Sequence, residues 1–184
     1  MASVPRLQFS HFGMHVTDMA RMVDFYTRVL GFAVTDRGGL EIPGTSRELT
    51  FLSRDPKDHH QIVLVSGRPA GEGFNPINQI SFRLDDLAAL REMHRRLVAE
   101  KVRDMMPMSH GNALSVYFLD PEGNRIELLI DTPWYCHQPI RMPLDLSLPD
   151  AEIWKAAEAE ARKQPDFKPV EAWRAEVTRR IAGS

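Results

Sequence analysis

The sequence contains one cysteine, Cys136, among 184 residues, so it cannot form an internal disulfide. A lone thiol is typical of proteins in a reducing compartment, and we therefore predict a cytoplasmic location. No apolar run approaches the about 20 residues that cross a bilayer. The first residues also contain no apolar segment of signal-peptide length. We accordingly predict no membrane partner.

Neither sign of charge is in excess, because 23 Lys and Arg stand against 25 Asp and Glu, for a formal net charge of −2. A nucleic-acid partner is therefore not expected. The absence of glycine-rich phosphate loops, CxxC pairs and HExxH motifs leaves nucleotide cofactors and structural zinc fingers without support. What remains is an ordinary globular composition, with 43% hydrophobic and 26% charged residues.

A weak internal repeat relates residues 15–30 to residues 83–98, at an offset of 68 positions. The apolar residues of both segments recur at helical spacing, which predicts two amphipathic helices. Asp18 and Asp86 occupy matching positions at the helix starts, where a short carboxylate side chain can accept hydrogen bonds from free N–H groups.

A strand-like segment precedes each predicted helix, and three more follow it. The predicted strands are residues 9–16, 32–35, 49–53 and 61–66 in the first half, and residues 78–84, 102–106, 113–119 and 125–130 in the second. Residues 120–124 have the composition of a turn, and the Gly- and Pro-rich residues 68–76 predict a linker between the halves.

This order of elements predicts an α+β fold, in which two βαβββ modules form a cup-shaped mixed sheet. The modules are expected at about residues 8–67 and 77–130, and together they make one domain, residues 1–130.

Residues 131–184 have a different pattern, because four prolines interrupt their first part and predict an extended arm. Two helices are predicted after the arm, at about residues 150–164 and 170–181. We expect this helical tail not to be an independent domain. It either wraps the domain or a partner subunit, or it is a loosely attached, solvated tail.

Candidate metal ligands follow from the repeat, because duplicated modules pack with approximate two-fold symmetry and bring equivalent strand positions together. His11 corresponds to Gln79 at the same offset of 68, and Glu127 corresponds approximately to Leu64. An imidazole and a carboxylate facing one cavity are suitable ligands for a divalent metal. Gln79 offers only a neutral carbonyl oxygen, and Leu64 offers nothing. The alternative for His11 is a plain strand histidine.

Two segments resemble a known group. FSHFGMHVTDMARMVDFYTRVLGF is similar to the opening module of the vicinal oxygen chelate superfamily, and HGNALSVYFLDPEGNRIELL is similar to its closing hairpin. That superfamily includes glyoxalase I, bleomycin-resistance proteins, epimerases and type I extradiol dioxygenases. The resemblance covers about residues 8–130. It implies the fold, whereas the reaction stays open because one fold supports many chemistries.

Three details resemble the extradiol dioxygenases in particular: the pair His59-His60 before the fourth strand, Tyr117 ten residues before Glu127, and the sequence DTPWY at residues 131–135. By this resemblance, Fe(II) is the expected metal, and an aromatic diol and O2 are the substrates, as in aromatic hydrocarbon catabolism. The implied metal ligands are His11 and Glu127, with Gln79 at the position of the third ligand. The implied catalytic residues are His60, which moves protons, and Tyr117, which steadies the substrate oxygen. The resemblance implies a substrate contact at His110. His59 and His15 are further candidate substrate contacts, and the alternatives for His15 are a metal ligand or a filling residue.

Gln79 departs from the dioxygenase pattern, which places a second histidine ligand on the fifth strand. Some glyoxalases of the superfamily do use a glutamine ligand. Three outcomes are open: the site binds metal through Gln79, it recruits His15 from the same strand face as His11, or it has lost its metal and become a binding pocket. Mn, Ni, Co and Zn are alternatives to Fe(II).

The leading functional hypothesis is therefore a metal-dependent extradiol dioxygenase-like protein. The alternatives are another metalloenzyme of the superfamily with isomerase or lyase chemistry, and a small-molecule-binding protein without catalysis. Simpler roles compete for single residues. His59 and His60 follow a loop-like stretch and could be exposed loop histidines, and Tyr117 could be a packing residue. A homodimer is expected, because uncovered sheet edges are usually paired.

Overall fold

The computed structural model describes residues 7–182, except residues 70, 72 and 74. The chain divides between residues 74 and 75 into two compact units. That boundary falls within the predicted linker at residues 68–76, of which residues 70, 72 and 74 lie outside the described part.

The first unit contains one βαβββ module. Its elements are β1 (Phe12–Val16), α1 (Met19–Asp24), which continues as a π-helical turn (Phe25–Val29), β2 (Ala33–Ile42), β3 (Thr45–Ser53) and β4 (Ile62–Ser66). They form a four-stranded mixed sheet in the order β1-β4-β3-β2, with β1 parallel to β4 and the other neighbours antiparallel.

The first helix begins where the sequence predicts a cap. The Asp18 carboxylate accepts a hydrogen bond from the N–H of Arg21 at 3.0 Å, which satisfies one free donor of the first turn. His15 and Val16 belong to the preceding strand, because they pair with Val65 and Ser66 of β4. The repeat segment at residues 15–30 is therefore helical only from Met19 onward.

Three predicted strand boundaries in this unit were wrong, and one of them is the start of β3, which lies at Thr45 rather than at residue 49. The first strand begins at Phe12 rather than at residue 9. The second was predicted at residues 32–35, but β2 continues to Ile42, because it pairs with β3 along a long hairpin that closes through Gly44. Gly44 has a φ of +85°, a conformation that glycine adopts without a steric penalty.

The second unit contains the other module. Its elements are β5 (Ile80–Arg83), α2 (Leu87–Ala99), β6 (Arg103–Ser109), β7 (Ala113–Leu119) and β8 (Arg125–Asp131). The strand order β5-β8-β7-β6 repeats the order β1-β4-β3-β2 of the first unit, with β5 parallel to β8. Asp86 caps α2 by accepting a hydrogen bond from the N–H of Ala89 at 2.8 Å. The predicted α+β class with two βαβββ modules is confirmed, and each module has its own mixed sheet.

The residues after Asp131 pack on this second unit. They form β9 (Trp134–Tyr135), β10 (Met142–Pro143), α3 (Asp150–Ala161), β11 (Lys168–Pro169) and α4 (Val170–Ala182). β10 extends the second sheet beside β6, and β9 pairs with β11. Arg91 of α2 donates hydrogen bonds to the carbonyls of Leu146 and Leu148 and to the Asp150 carboxylate.

The helical tail agrees with the sequence prediction, except that α3 ends at Ala161 rather than at residue 164. Trp134 is buried, and its indole N–H donates to the carbonyl of Gly111 at 2.7 Å. None of the helices within the described residues is long and apolar enough to cross a bilayer.

The β7–β8 hairpin separates the apolar core from the face that concerns function. Its core residues are buried at every second position: Leu114, Val116, Phe118, Ile126, Leu128 and Ile130. The intervening side chains point to the opposite face of the sheet, because successive strand residues alternate. Ser115, Tyr117 and Glu127 lie on that opposite face.

Candidate active site

Four side chains of the second unit form a row across its sheet. Met106 is paired with Tyr117, Tyr117 with Glu127, and Glu127 with Ser81, on strands β6, β7, β8 and β5. Residues directly opposite each other in neighbouring strands have adjacent side chains on one face. The sheet register therefore brings a thioether, a phenol, a carboxylate and a hydroxyl side by side.

Glu127 is the only acid of this row, and it is 5% exposed. Its carboxylate accepts hydrogen bonds from Gln79 Nε2 at 2.7 Å, from Ser115 Oγ at 2.7 Å and from Ser81 Oγ. A buried carboxylate is costly unless donors replace its water, and these three donors supply that replacement. The partners of this carboxylate are thus Gln79 and two serines.

Tyr117 and His110 form a hydrogen-bonded pair beside Glu127. His110 Nδ1 lies 2.6 Å from the carbonyl oxygen of Ile140, and His110 Nε2 lies 2.9 Å from the Tyr117 hydroxyl. A carbonyl can only accept, so Nδ1 carries a proton, and in the neutral ring Nε2 is then an acceptor. The Tyr117 hydroxyl therefore donates to His110, whose Nε2 is 3.9 Å from Glu127 Oε1.

The pKa of Tyr117 is raised to about 12, first by burial and then by the neighbouring Glu127 carboxylate. The Gln79 amide and the positive charge of Arg141 partly oppose this rise in the pKa. The phenol consequently stays protonated at neutral pH and is available as a hydrogen-bond donor.

The first unit groups three histidines next to the start of β4. The rings of His11 and His60 lie 4.2 Å apart between centroids, and Nδ1 of His59 lies 2.8 Å from Nδ1 of His60. Phe51 of β3 packs its ring 5.2 Å from that of His60. Nδ1 of His11 is 2.9 Å from the Ser10 hydroxyl. The predicted ligand His11 and the predicted proton carrier His60 are therefore neighbours.

The pKa of His60 is lowered, first by burial and then by the charges of His11 and His59. A lowered pKa keeps this imidazole neutral and able to accept a proton near neutral pH. His59 is more exposed, and its Nε2 lies 3.8 Å from a carboxylate oxygen of Asp36. Both histidines precede β4, which begins at Ile62.

His15 lies on the same face of β1 as Gly13, and by the strand alternation also on the side of His11. It is exposed, and its Nδ1 is 3.4 Å from the carbonyl of Ser66. The predicted substrate contact of His15 stays a prediction.

The predicted equivalence of Glu127 and Leu64 was wrong by one residue. Glu127 is opposite Ser81, which corresponds to Gly13 at the offset of 68, and Gly13 is opposite Val63. The offset thus decreases from 68 to 64 (127 − 63) between the first and last strands of the modules, because the second module is shorter. Leu64 is fully buried in the core.

Ser81 and Ser115, which both donate to Glu127, were not predicted from the sequence. Strand alternation indicates both, since Ser81 lies two positions after Gln79 and Ser115 two positions before Tyr117. Ile140 and its neighbours in the arm were not predicted either. Their contacts depend on the pairing of β10 with β6, for which the sequence gives no local pattern.

The side chains around Glu127 include donor atoms that are suitable for a divalent metal. Within the described part of the chain, no three or more His, Cys, Asp or Glu side chains are grouped as a metal site. Gln79 is not one of these four residue types, although a glutamine can also bind a metal through its carbonyl oxygen. Three hydrogen bonds leave about one of the four acceptor positions of the Glu127 carboxylate, and the amide of Gln79 adds a neighbouring carbonyl oxygen. These two oxygen donors fit an oxygen-rich divalent site.

Comparisons with known proteins add to this geometry. The family model described as Glyoxalase/Bleomycin resistance protein/Dioxygenase superfamily matches residues 8–128. A biphenyl-2,3-diol 1,2-dioxygenase of Rhodococcus globerulus is 28% identical over 71% of this chain and 65% of that enzyme. This chain thus spans less than two thirds of the length of that relative. A lactoylglutathione lyase of Salmonella typhimurium is 25% identical over 67% of this chain and 92% of the enzyme.

A solved structure has the same fold. The glyoxylase/bleomycin resistance protein/dioxygenase domain from Frankia sp. EAN1pec superposes with a TM-score of 0.55 and 21% identity. The superposition covers 71% of this chain and all of that domain. At this identity the likeness concerns the fold alone.

Proposed function

The chain belongs to the glyoxalase/bleomycin resistance protein/dioxygenase superfamily, and from this premise we propose that it is a metal-dependent, extradiol-type ring-cleaving dioxygenase of an aromatic diol. The observation that supports this most is the protonated Tyr117, hydrogen-bonded to His110 at 2.9 Å in the row that contains Glu127. The sequence similarity to a biphenyl-2,3-diol 1,2-dioxygenase also supports this proposal.

In this proposal His11, Gln79 and Glu127 hold the metal, with Fe(II) first among the divalent ions and Mn, Ni, Co and Zn as alternatives. A bound divalent ion would act as a Lewis acid that favours ionisation of the diol and its reaction with O2. Ser81 and Ser115 orient the Glu127 carboxylate by their hydrogen bonds. Such supporting donors fix the direction of a ligand and tune its basicity.

Tyr117 and His110 orient the diol in this proposal. The Tyr117 hydroxyl has one proton, which it now donates to Nε2 of His110. When a diol oxygen comes within reach, the same proton can be donated to it, while His110 keeps its Nδ1 proton on the carbonyl of Ile140. The raised pKa of Tyr117 keeps the phenol a donor rather than a competing anion.

His60 is the proposed proton acceptor. Its lowered pKa makes the neutral ring the main form at neutral pH, and a neutral imidazole can take the proton that a diol loses on binding. His59 holds the ring through the contact between the two Nδ1 atoms, and Phe51 packs against it. His59 and His15 are exposed and remain proposed substrate contacts.

Gln79 favours a second candidate function, a metal-dependent lyase or isomerase. An amide oxygen beside a carboxylate makes the donor set richer in oxygen than two histidines and one carboxylate, and oxygen-rich sites suit ions other than iron. The third candidate is a binding protein without catalysis, in which Gln79 and Glu127 serve only to order the pocket wall through their hydrogen bond.

The proposal is tested by anaerobic reconstitution with Fe(II), desalting, metal analysis and O2 uptake with catechols. We expect about one iron per chain in the natural protein and ring-cleavage products. Glu127→Ala should lose both metal and turnover, whereas Glu152→Ala on the exposed surface of α3 should keep both. O2 uptake that survives in Glu127→Ala would contradict the proposal. Metal retention with Zn or Ni but not Fe(II), and without O2 uptake, would support the lyase or isomerase.

We also propose that the protein is cytoplasmic and forms a homodimer. β2 is an edge strand of its own sheet, and exposed strand edges are commonly paired with another chain. Sedimentation of the purified protein measures the oligomeric state directly, and a monomer at micromolar concentration would contradict this part of the proposal.

A further inference from the structure

Arg141 lies in the arm immediately before β10, where Met142 is paired with Ser109 at the end of β6. Its guanidinium Nη2 is 3.6 Å from the Sδ atom of Met106. Met106 is directly opposite Tyr117 in the sheet register. A strong, permanent cation is thus placed at the end of the row that contains Tyr117 and Glu127.

The guanidinium has no acidic partner in the described residues, where no carboxylate oxygen lies within 4.0 Å of it. Among the described residues the guanidinium contacts a thioether sulfur, which is a weak acceptor for a group with five N–H donors. Arg91 in the same unit differs in this respect, because it donates to two carbonyls and to the Asp150 carboxylate. Arg141 is exposed and keeps its donors for another molecule.

The position of Arg141 relative to Tyr117 suits one small aromatic molecule. Neighbouring strands are about 5 Å apart, so one or two strand spacings separate the guanidinium from the phenol. One benzene ring with short substituents covers such a distance. The charge of Arg141 also reaches the Tyr117 oxygen, since it opposes the rise in the pKa of that phenol.

We propose that Arg141 binds an anionic group of the substrate, and that the substrate is an aromatic diol with a carboxylate on its ring or on a short side chain. This inference rests on the proposed function, because it places the diol beside Tyr117 and the carboxylate beside Arg141. An arginine fork can hold both oxygens of a carboxylate with two parallel hydrogen bonds. Arg141 is in this sense a specificity-determining residue, and the ring cleavage itself does not involve it.

The test compares acids with their neutral esters. The two dihydroxybenzoates with adjacent hydroxyls, each beside its methyl ester, are titrated calorimetrically into the Fe(II)-loaded protein without O2, and into metal-free protein. We expect the natural protein to bind the better acid about 10- to 100-fold more tightly than its ester, as for a hydrogen-bonded ion pair. Arg141→Gln should bring this ratio close to one and leave ester affinity unchanged.

Two further variants control for charge and for general effects. Arg141→Lys keeps the charge without the fork and should give an intermediate ratio. Arg95→Gln removes an exposed arginine of α2 that pairs with Glu92, and it should keep the ratio of the natural protein. An equal affinity of the natural protein for acid and ester, or an unchanged ratio in Arg141→Gln, would overturn the inference.

The same titrations separate this inference from the proposed function. An acid preference that depends on Arg141, in a protein that consumes no O2 with any diol, supports the anion site and contradicts the dioxygenase. Ring cleavage of plain catechol without an acid preference supports the dioxygenase and overturns the anion site. Binding of neither acid nor ester to loaded or metal-free protein overturns the anion site as well.

Discussion

The hydroxyl of Tyr117 lies 2.9 Å from Nε2 of His110, and this histidine is held from its other side by the carbonyl of Ile140 at 2.6 Å. Ile140 belongs to the arm, 30 residues after His110 in the chain. The arm therefore fixes the tautomer of His110, and through it the direction in which the Tyr117 proton points. In this way residues beyond the last strand of the βαβββ module contribute to the candidate active site.

Replacing Tyr117 by Phe removes only the hydroxyl. The ring can keep its edge-on packing against His110, whose centroid is 5.8 Å away. We expect kcat/KM for the diol to decrease about 10- to 100-fold, because one hydrogen bond to a charged or ionising oxygen is lost. Metal content should not change, since Tyr117 is not among the proposed ligands. Steady-state O2 uptake and metal analysis on the same samples measure both quantities.

Tyr135→Phe is the matched control for this substitution. Tyr135 stacks on Trp173 of α4 with centroids 5.1 Å apart, so its phenol is involved in packing in the tail. Its loss should leave kcat/KM within about twofold of the natural value, as expected for a substitution away from the site. An equal decrease in both variants would assign a packing role to Tyr117.

The Cys136 thiol provides a probe for the attachment of the arm. It is fully buried, and burial raises its pKa, so in the folded protein it should react slowly with alkylating reagents. The Gln138 side-chain amide donates to the carbonyl of His110 at 2.7 Å and lies 3.8 Å from the Cys136 sulfur. Gln138→Ala should accelerate alkylation at least about tenfold and lower the free energy of unfolding by about 1–2 kcal/mol.

Alkylation rates at pH 8 and urea unfolding curves are the two measurements. Gln164→Ala, after the end of α3, is the control and should change neither the labelling rate nor the stability. Rapid labelling of Cys136 in the natural protein would contradict the docked arm. Faster labelling in Gln138→Ala at unchanged stability would indicate local opening of the arm alone.

Local patterns predicted the modules well, because their causes lie close in the sequence. Asp18 and Asp86 cap their helices as expected, since a cap depends on residues within one turn. The predictions failed where distant pairing decides. β2 extends through Gly38 and Gly39 because β3 pairs with it, although glycines are poor strand formers.

The candidate site divides in the same way between local and distant causes. The repeat predicted Gln79 and Glu127 as neighbouring ligand candidates, and the two side chains are hydrogen-bonded to each other. The partner position of Glu127 was predicted at Leu64, an offset of 63, whereas the sheet register gives Val63 and an offset of 64, because the second module is four residues shorter than the first. Arg141 was not predicted as a site residue, because its contacts depend on the pairing of β10 with β6.

Substituting Gln79 by His tests why this chain differs from the two-histidine dioxygenase pattern. An imidazole is a better ligand for Fe(II) than an amide oxygen, so Gln79→His should retain iron at least about tenfold more strongly through desalting. The new side chain loses the amide hydrogen bond to Glu127, so stability should decrease by about 1 kcal/mol. Competition between Fe(II) and Zn, Ni, Co or Mn, followed by metal analysis, measures the preference.

His15→Ala distinguishes the remaining explanation, in which an exposed histidine of β1 completes the site instead of Gln79. If Gln79 is the ligand, His15→Ala should bind iron like the natural protein, and only Gln79→His should change the metal preference. If iron is lost in His15→Ala and is unchanged in Gln79→His, the ligand assignment of Gln79 is wrong. In that case the hydrogen bond from Gln79 to Glu127 serves to orient the carboxylate, because a ligand that is itself held by a neighbouring donor presents its remaining oxygen in one direction.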